Sequence, residues 1–155
     1  MRFITFIAAT ALCWGQLADS PEIRDLSERI KVSPTAALFA ARGEAYMKVD
    51  LPTLAVDDYS ETIRLRLDEP KYWISRADAR AALNRFSEAI DDLDQALHLK
   101  PDTMSVYMDR GFLFGQMGDF THAIQDLSRV LKSRPENPTC PYPEGCGLRQ
   151  DGRLQ

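Results

Sequence analysis

At 155 residues, 45% of them hydrophobic and 27% charged, the chain has the length of one domain and the make-up of an ordinary soluble protein. Its formal net charge of -4 supplies no basic stripe, and the acidic residues are spread along the chain rather than gathered in a tail. Nucleic acid is therefore excluded as an expected partner.

The first residues stand apart from the rest. Met1 and Arg2 give a short positive start, and Phe3 to Trp14 runs apolar with only Thr5 and Thr10 interrupting. This is the pattern of a secretory signal over residues 1–18, with cleavage falling between Gly15 and Ser20. The run is too short for the roughly 20 residues that cross a bilayer, so no stable membrane span is expected. The competing reading, a first helix of an extra repeat, calls for an amphipathic pattern, and this stretch is apolar all round. The expected location is outside the cytoplasm, periplasmic or extracellular.

Ser20-Pro21-Glu22 reads as a helix start, with Ser20 as N-cap and Pro21 in the first helical position. Ile23, Leu26 and Ile30 follow at helical spacing, then Val32 and Pro34, so residues 20–34 form a capping unit around one helix. Three helix pairs are predicted next. The first spans 36–49 and 54–66 with a turn at Asp50-Leu51-Pro52; the second spans 71–83 and 87–99 with a turn at Asn84-Arg85. The third spans 103–117 and 121–132, turned by Gly118-Asp119, where Gly118 suits a left-handed helix end. Residues 138–155 have no helical period and read as an extended tail rich in Pro and Gly.

The pairs are copies of one another. Trp73, Ala77, Phe86, Ala89, Ile90, Leu93, Leu97 and Pro101 recur as Tyr107, Gly111, Phe120, Ala123, Ile124, Leu127, Leu131 and Pro135, each 34 residues on. Upstream by the same step stand Phe39, Gly43, Ala55, Val56, Tyr59 and Ile63, with Pro52 in place of the aromatic and Leu67 in place of the proline. The pattern resembles the tetratricopeptide repeat, a 34-residue helix–turn–helix unit. That resemblance implies an all-α, right-handed α-solenoid of stacked antiparallel helix pairs, with repeats at 36–69, 70–103 and 104–137 and the N-terminal half repeat before them. Val32, Leu65 and Leu99 are expected to face the next unit, and Ser133 at the matching place marks the third repeat as terminal.

The resemblance further implies a concave groove lined by the first helix of each repeat. Carried over position by position, it would present Ala37, Ala41, Glu44 and Lys48, then Lys71, Ile74, Ser75, Asp78 and Ala82, then Ser105, Met108, Asp109, Phe112 and Gln116. Ile74, Met108 and Phe112 fall off the core pattern, so they either meet a ligand or pack under the tail. One branch of the family grips a chaperone's C-terminal carboxylate through cationic side chains. Here the matching places hold Ala40, Glu44, Ser75, Ser105 and Asp109, none of them cationic, so that activity is not carried over. A protein or peptide segment with apolar and basic side chains fits better, and self-association through the groove or the tail is a further reading.

Arg42, Arg76 and Arg110 recur at the repeat step, as do the acidic pairs Asp57-Asp58 and Asp91-Asp92, with Asp126 after them. An ion ladder along the array and a set of solvated side chains with buried stems are both consistent with this; the arginines are expected to be structural and the paired aspartates to lie on the surface. Cys140 and Cys146 flank a short loop. After export and loss of Cys13 they form an even pair in an oxidising compartment, which favours a disulfide. Free thiols and a zinc site are the alternatives; zinc would need two further ligands, and His98 and His122 sit on outer helix faces at no ligand spacing. No phosphate loop, nucleophile elbow or Ser/Cys–His motif is present, so neither catalysis nor a cofactor is expected. The runner-up function is a small exported redox or metal-binding protein working through the cysteine pair.

Overall fold

The computed structural model describes residues 20–133, which form seven helices and no strand. The predicted signal, the tail and all three cysteines lie outside the described residues. Helix α1 (Pro21–Val32) is followed by three pairs: α2 (Ala36–Lys48) with α3 (Pro52–Leu65), α4 (Pro70–Ala82) with α5 (Phe86–Leu99), and α6 (Met104–Gln116) with α7 (Phe120–Ser133). Each helix packs on its neighbours in sequence, so the chain zigzags along one direction. Among the described residues no helix is long and apolar enough to cross a membrane.

Local chemistry sets the helix ends. Ser20 caps α1 by accepting a 3.2 Å hydrogen bond from the Ile23 amide, and Thr35 does the same for α2 through the Leu38 amide. Within each pair the turn passes through one left-handed residue: Asp50 at φ 58°, Asn84 at φ 59° and Gly118 at φ 80°. These three stand one repeat step apart, and Asp, Asn and Gly are the residues that tolerate this backbone. The second helices begin slightly earlier than their spacing predicts, at Pro52, Phe86 and Phe120. Proline at the first helical position gives up an amide that has no intrahelical partner anyway, so Pro52 belongs to α3 rather than to the turn.

The pairs close over small residues. Ala77 in α4 is buried against Leu93 of α5, within a cluster that runs on through Val106, Tyr107 and Leu113 of α6 to Val130 of α7. The equivalent of Ala77 in the first pair is Gly43, where a Cβ would stand 2.9 Å from Cε1 of the buried Tyr59 ring. The larger side chain on α3 thus requires the smaller one on α2. Ile74, expected in the groove, packs against the same core cluster as Ala77. It is only partly buried there, on a helix that packs against α3 before it and α5 after it.

Buried arginine–aspartate pairs tie successive helices. Arg42 donates from Nε and Nη2 to both carboxylate oxygens of Asp58, at 2.7 Å each, and from Nη1 to the Ser27 hydroxyl of α1 at 3.1 Å. Arg76 repeats this on Asp92 of its own pair, at 3.0 and 2.7 Å, and on Ser60 of the preceding α3 at 3.1 Å. Arg110 grips Asp126 at 2.8 and 2.7 Å and reaches Asp94 of α5. Each guanidinium therefore joins three helices, and its planar fork matches the carboxylate bidentately. Asp58, Asp92 and Asp126 are buried, which corrects the surface placement expected for the acidic pairs; Asp57 and Asp91 are exposed. Adjacent helix positions point about 100° apart, so one member of each pair faces the arginine and the other faces solvent.

The two ends of the stack differ. Helix α1 buries Ile23 and Leu26 against α2 and turns Arg24, Asp25, Glu28 and Arg29 outward. Helix α7 leaves its outer flank apolar: Ile124, Leu127 and Leu131 are 64%, 44% and 72% exposed, whereas their equivalents Ile90, Leu93 and Leu97 in α5 are 8%, 1% and 7% exposed under α6. Leu65 and Leu99 are exposed as well, and Val32 more so, which corrects the expectation that this position faces the next unit. Ser133 at that position consequently says nothing about what covers the third repeat.

Candidate functional site

The first helices of the three pairs stand side by side, and a depression opens between each successive two. Between α2 and α4 lies a hollow of about 310 Å³ lined by Ala37, Ala40, Ala41, Glu44, Lys71, Tyr72 and Ser75. Between α4 and α6 a smaller one of about 160 Å³ is lined by Ala77, Asp78, Ala81, Leu93, Asp109, Phe112 and Leu113. Three of the seven residues lining the first hollow are alanines, which keep its floor low. A segment laid across it would reach backbone-level surface between charged walls.

Glu44, Asp78 and Phe112 are the same repeat position in three successive copies, so the row changes from two acids to an exposed aromatic. Asp78 is reached by solvent yet stands in a concavity walled by protein. Desolvation first, and the Asp109 carboxylate second, raise its pKa to about 6. Asp109 is shifted upward by desolvation too. Beneath them, burial above all, then Glu44 and Asp78, push the Tyr59 hydroxyl up to about 12, with a hydrogen bond to Ser75 opposing. The charged forms of these carboxyls are under-compensated by the protein itself, and an incoming cation would supply what is missing.

The remaining expected groove residues divide. Met108 and Phe112 are exposed apolar side chains on α6, and Gln116 is exposed a turn further on. Lys71 lies over the Tyr72 ring at 4.7 Å, at the rim of the first hollow. Lys48 is drawn towards α1, where its Nζ is 3.4 Å from Glu22. Ile74, partly buried against the core cluster, lines neither hollow. Tyr72, Ala81 and Leu113 line the hollows without having been expected. Tyr72 could have been found from its place beside Trp73 at the start of the helix, one position off the core.

His122, considered as a metal ligand and set aside on spacing, instead holds Asp119 through Nδ1 at 2.6 Å and stacks on Phe114 with ring centroids 5.0 Å apart. Asp119 in turn caps α7 by accepting from the His122 amide, and these bonds lower its pKa. Among the described residues no cluster of three His, Cys, Asp or Glu side chains could hold a metal ion.

Models of the tetratricopeptide repeat match residues 40–102 and residues 105–137, together more than half of the chain. Among solved structures, the chain is similar to a crystal structure of MamA at 22% identity, covering 73% of this chain and 67% of that one with a TM-score of 0.69. It is similar also to MamA, residue 41 to the end, from Desulfovibrio magneticus RS-1, at 16% identity over 81% and 70% of the two chains with a TM-score of 0.68. The TPR domain of Arabidopsis OM64 matches at 25% identity over 66% and 85%, with a TM-score of 0.61. These likenesses are of fold. A comparison with curated proteins finds no relative by sequence.

Proposed function

Because this chain belongs to the tetratricopeptide repeat family, an all-α family of protein-interaction scaffolds, we propose that it is an exported, non-catalytic scaffold that binds an extended protein segment across α2, α4 and α6. The observation that carries this reading is the pair of hollows between successive first helices, with Asp78 and Asp109 beside the exposed Phe112 in the second. A lysine or arginine of the ligand would sit against the two carboxylates, and an apolar neighbour would cover Phe112 and Met108. Glu44 and the alanine floor would take the segment onward past Lys71. Export is supported by Met1-Arg2 and the apolar run to Trp14, and in that setting Cys140 and Cys146 would be joined.

The titration of Asp78 gives the reading a sign. Its pKa is raised in the folded chain, so its contribution to stability is full below the ordinary carboxylate value of 3.8 and is lost as pH rises towards about 6. A bound cation reverses this, because it favours the ionised form. Binding of peptides that alternate lysine and leucine should therefore tighten as pH rises through about 6, and glutamate–leucine counterparts should not bind. Asp78→Asn should flatten that pH dependence and weaken binding at neutral pH about tenfold, roughly 1.4 kcal/mol. Equal affinity for both peptide types, or a pH profile unchanged in Asp78→Asn, would count against the groove. Intact-mass measurement of the protein recovered from its own compartment tests export: loss of the first 15 to 19 residues supports it, and a retained Met1 contradicts it.

A further inference from the structure

We propose that the chain pairs with a second copy of itself through the outer flank of α7, in a closed two-fold dimer whose α7 helices lie antiparallel. The flank is a continuous stripe of Phe120, Ile124, Leu127 and Leu131, all of them exposed. Spaced three and four residues apart, they lie on one helix face. A single exposed apolar residue is ordinary, but a contiguous stripe marks an interaction surface.

What covers it can be argued from the rest of the stack. In the preceding repeat the equivalents of Ile124, Leu127 and Leu131 are buried under a helix, α6, and that of Phe120 is partly buried, so the stripe has the shape of a seat for a helix. The chain beyond Ser133 carries Pro135, Pro138, Pro141 and Pro143 and no helical period, so its sequence does not offer such a helix. Nor can a second copy stack head to tail, since the opposite end presents the charged face of α1, with Arg29 paired to Asp25 and Lys31 to Glu28 on its surface. The remaining self-complementary arrangement sets α7 against α7. A two-fold contact of one flank with itself uses that flank up, so assembly stops at two.

Charge sets the relative direction. The N-terminal end of α7 carries Asp119 and the C-terminal end Lys132, while the only carboxylate within the helix, Asp126, faces inward to Arg110. Antiparallel helices place Lys132 near the partner's Asp119 and oppose the two helix dipoles; parallel ones would set like charges together. One helix pair buries less than the roughly 800 Å² per partner of a tight complex, so the dimer should dissociate in the micromolar range. Its formation leaves α2, α4 and α6 uncovered, so it stands or falls separately from binding in the groove.

Sedimentation equilibrium of the full chain over a range of concentrations tests the proposal. The mass should rise from one chain to two and go no higher. Ile124→Glu and Leu131→Glu should each weaken the pairing at least tenfold while helix content by circular dichroism is kept, since both side chains are exposed in the single chain. Tyr142→Ser with Leu148→Ser, on the tail, should leave the dimer unchanged. A chain that stays single at all concentrations, a dimer indifferent to Ile124→Glu and Leu131→Glu, assemblies larger than two, or pairing that appears only when the tail residues are changed would each overturn it.

Discussion

Helices α1 and α7 are the same structural part at opposite ends of the stack, and they end it in different ways. Both carry the apolar flank that covers a following repeat: Ile23 and Leu26 in α1, Ile124 and Leu127 in α7. In α1 that flank meets α2 and disappears from solvent. The other flank of α1, where α3, α5 and α7 hold a buried alanine and a buried aspartate, holds Glu22 and Asp25, both exposed, and Asp25 turns to Arg29 on its own helix. Among the described residues no first helix stands behind α1, and small, inward-facing residues are there replaced by solvated ones. Helix α7 has made no such change on the side where a fourth repeat would begin. A repeat array is thus closed by altering the residues of the flank that lacks a neighbour, and here only one end has been altered.

The largest expected effect breaks the clamp at the closed end. Arg42→Met leaves Asp58 buried without its only ion partner and also frees Ser27 of α1, so it should cost about 3–5 kcal/mol in chemical denaturation. Arg110→Met, at the open end, should cost less, because Asp126 lies on the outermost helix and can rehydrate by local fraying. Equal costs would mean that the two ends are equally well held. A milder contrast sets equivalent leucines against each other: Leu26→Ala should destabilise by about 2–3 kcal/mol, as for other buried leucines. Leu127→Ala, in dilute solution, should stay within about 1 kcal/mol.

Small residues give a third comparison. Gly43→Ala drives a Cβ to within 2.9 Å of the Tyr59 ring and should cost about 1–3 kcal/mol. Gly111→Ala meets nothing closer than 3.3 Å, at the Asp126 Cβ, and should cost clearly less. Adding Tyr59→Leu to Gly43→Ala should recover most of the loss, since Ala77 and Leu93 already form that combination one repeat on. The smallest effect concerns the turns: Asp50→Gly and Asn84→Gly should each be neutral to stabilising by at most about 1 kcal/mol, because both residues hold a left-handed backbone. A thermal scan showing a loss of stability would mean that their side chains contribute more than the backbone strain removes.

The helical stack was legible because each repeat states the same pattern again, so errors at one position are outvoted by its copies. The turn residues Asp50, Asn84 and Gly118 and the recurring arginines could be placed in this way. What could not be read was which of two adjacent aspartates faces inward, since that depends on where the arginine of another helix arrives. The contact of Ile74 with the core cluster is not legible for a similar reason: it lies off the repeat's core pattern, and only the packing of neighbouring helices partly buries it. The nearness of Asp78 and Asp109 was hidden because they come from different repeats at non-equivalent positions, so periodicity does not relate them. The open flank of α7 is masked in the sequence by one polar residue, Ser133, which suggests a closed end although four apolar ones keep the pattern of the repeat before.

Amide hydrogen exchange, resolved helix by helix at dilute and at high protein concentration, tests the difference between the two ends most directly. Protection in α7 should rise with concentration as its apolar flank finds a partner, while protection in α1 should stay the same. Protection that is independent of concentration at both ends, or that rises in α1 rather than α7, would contradict the account.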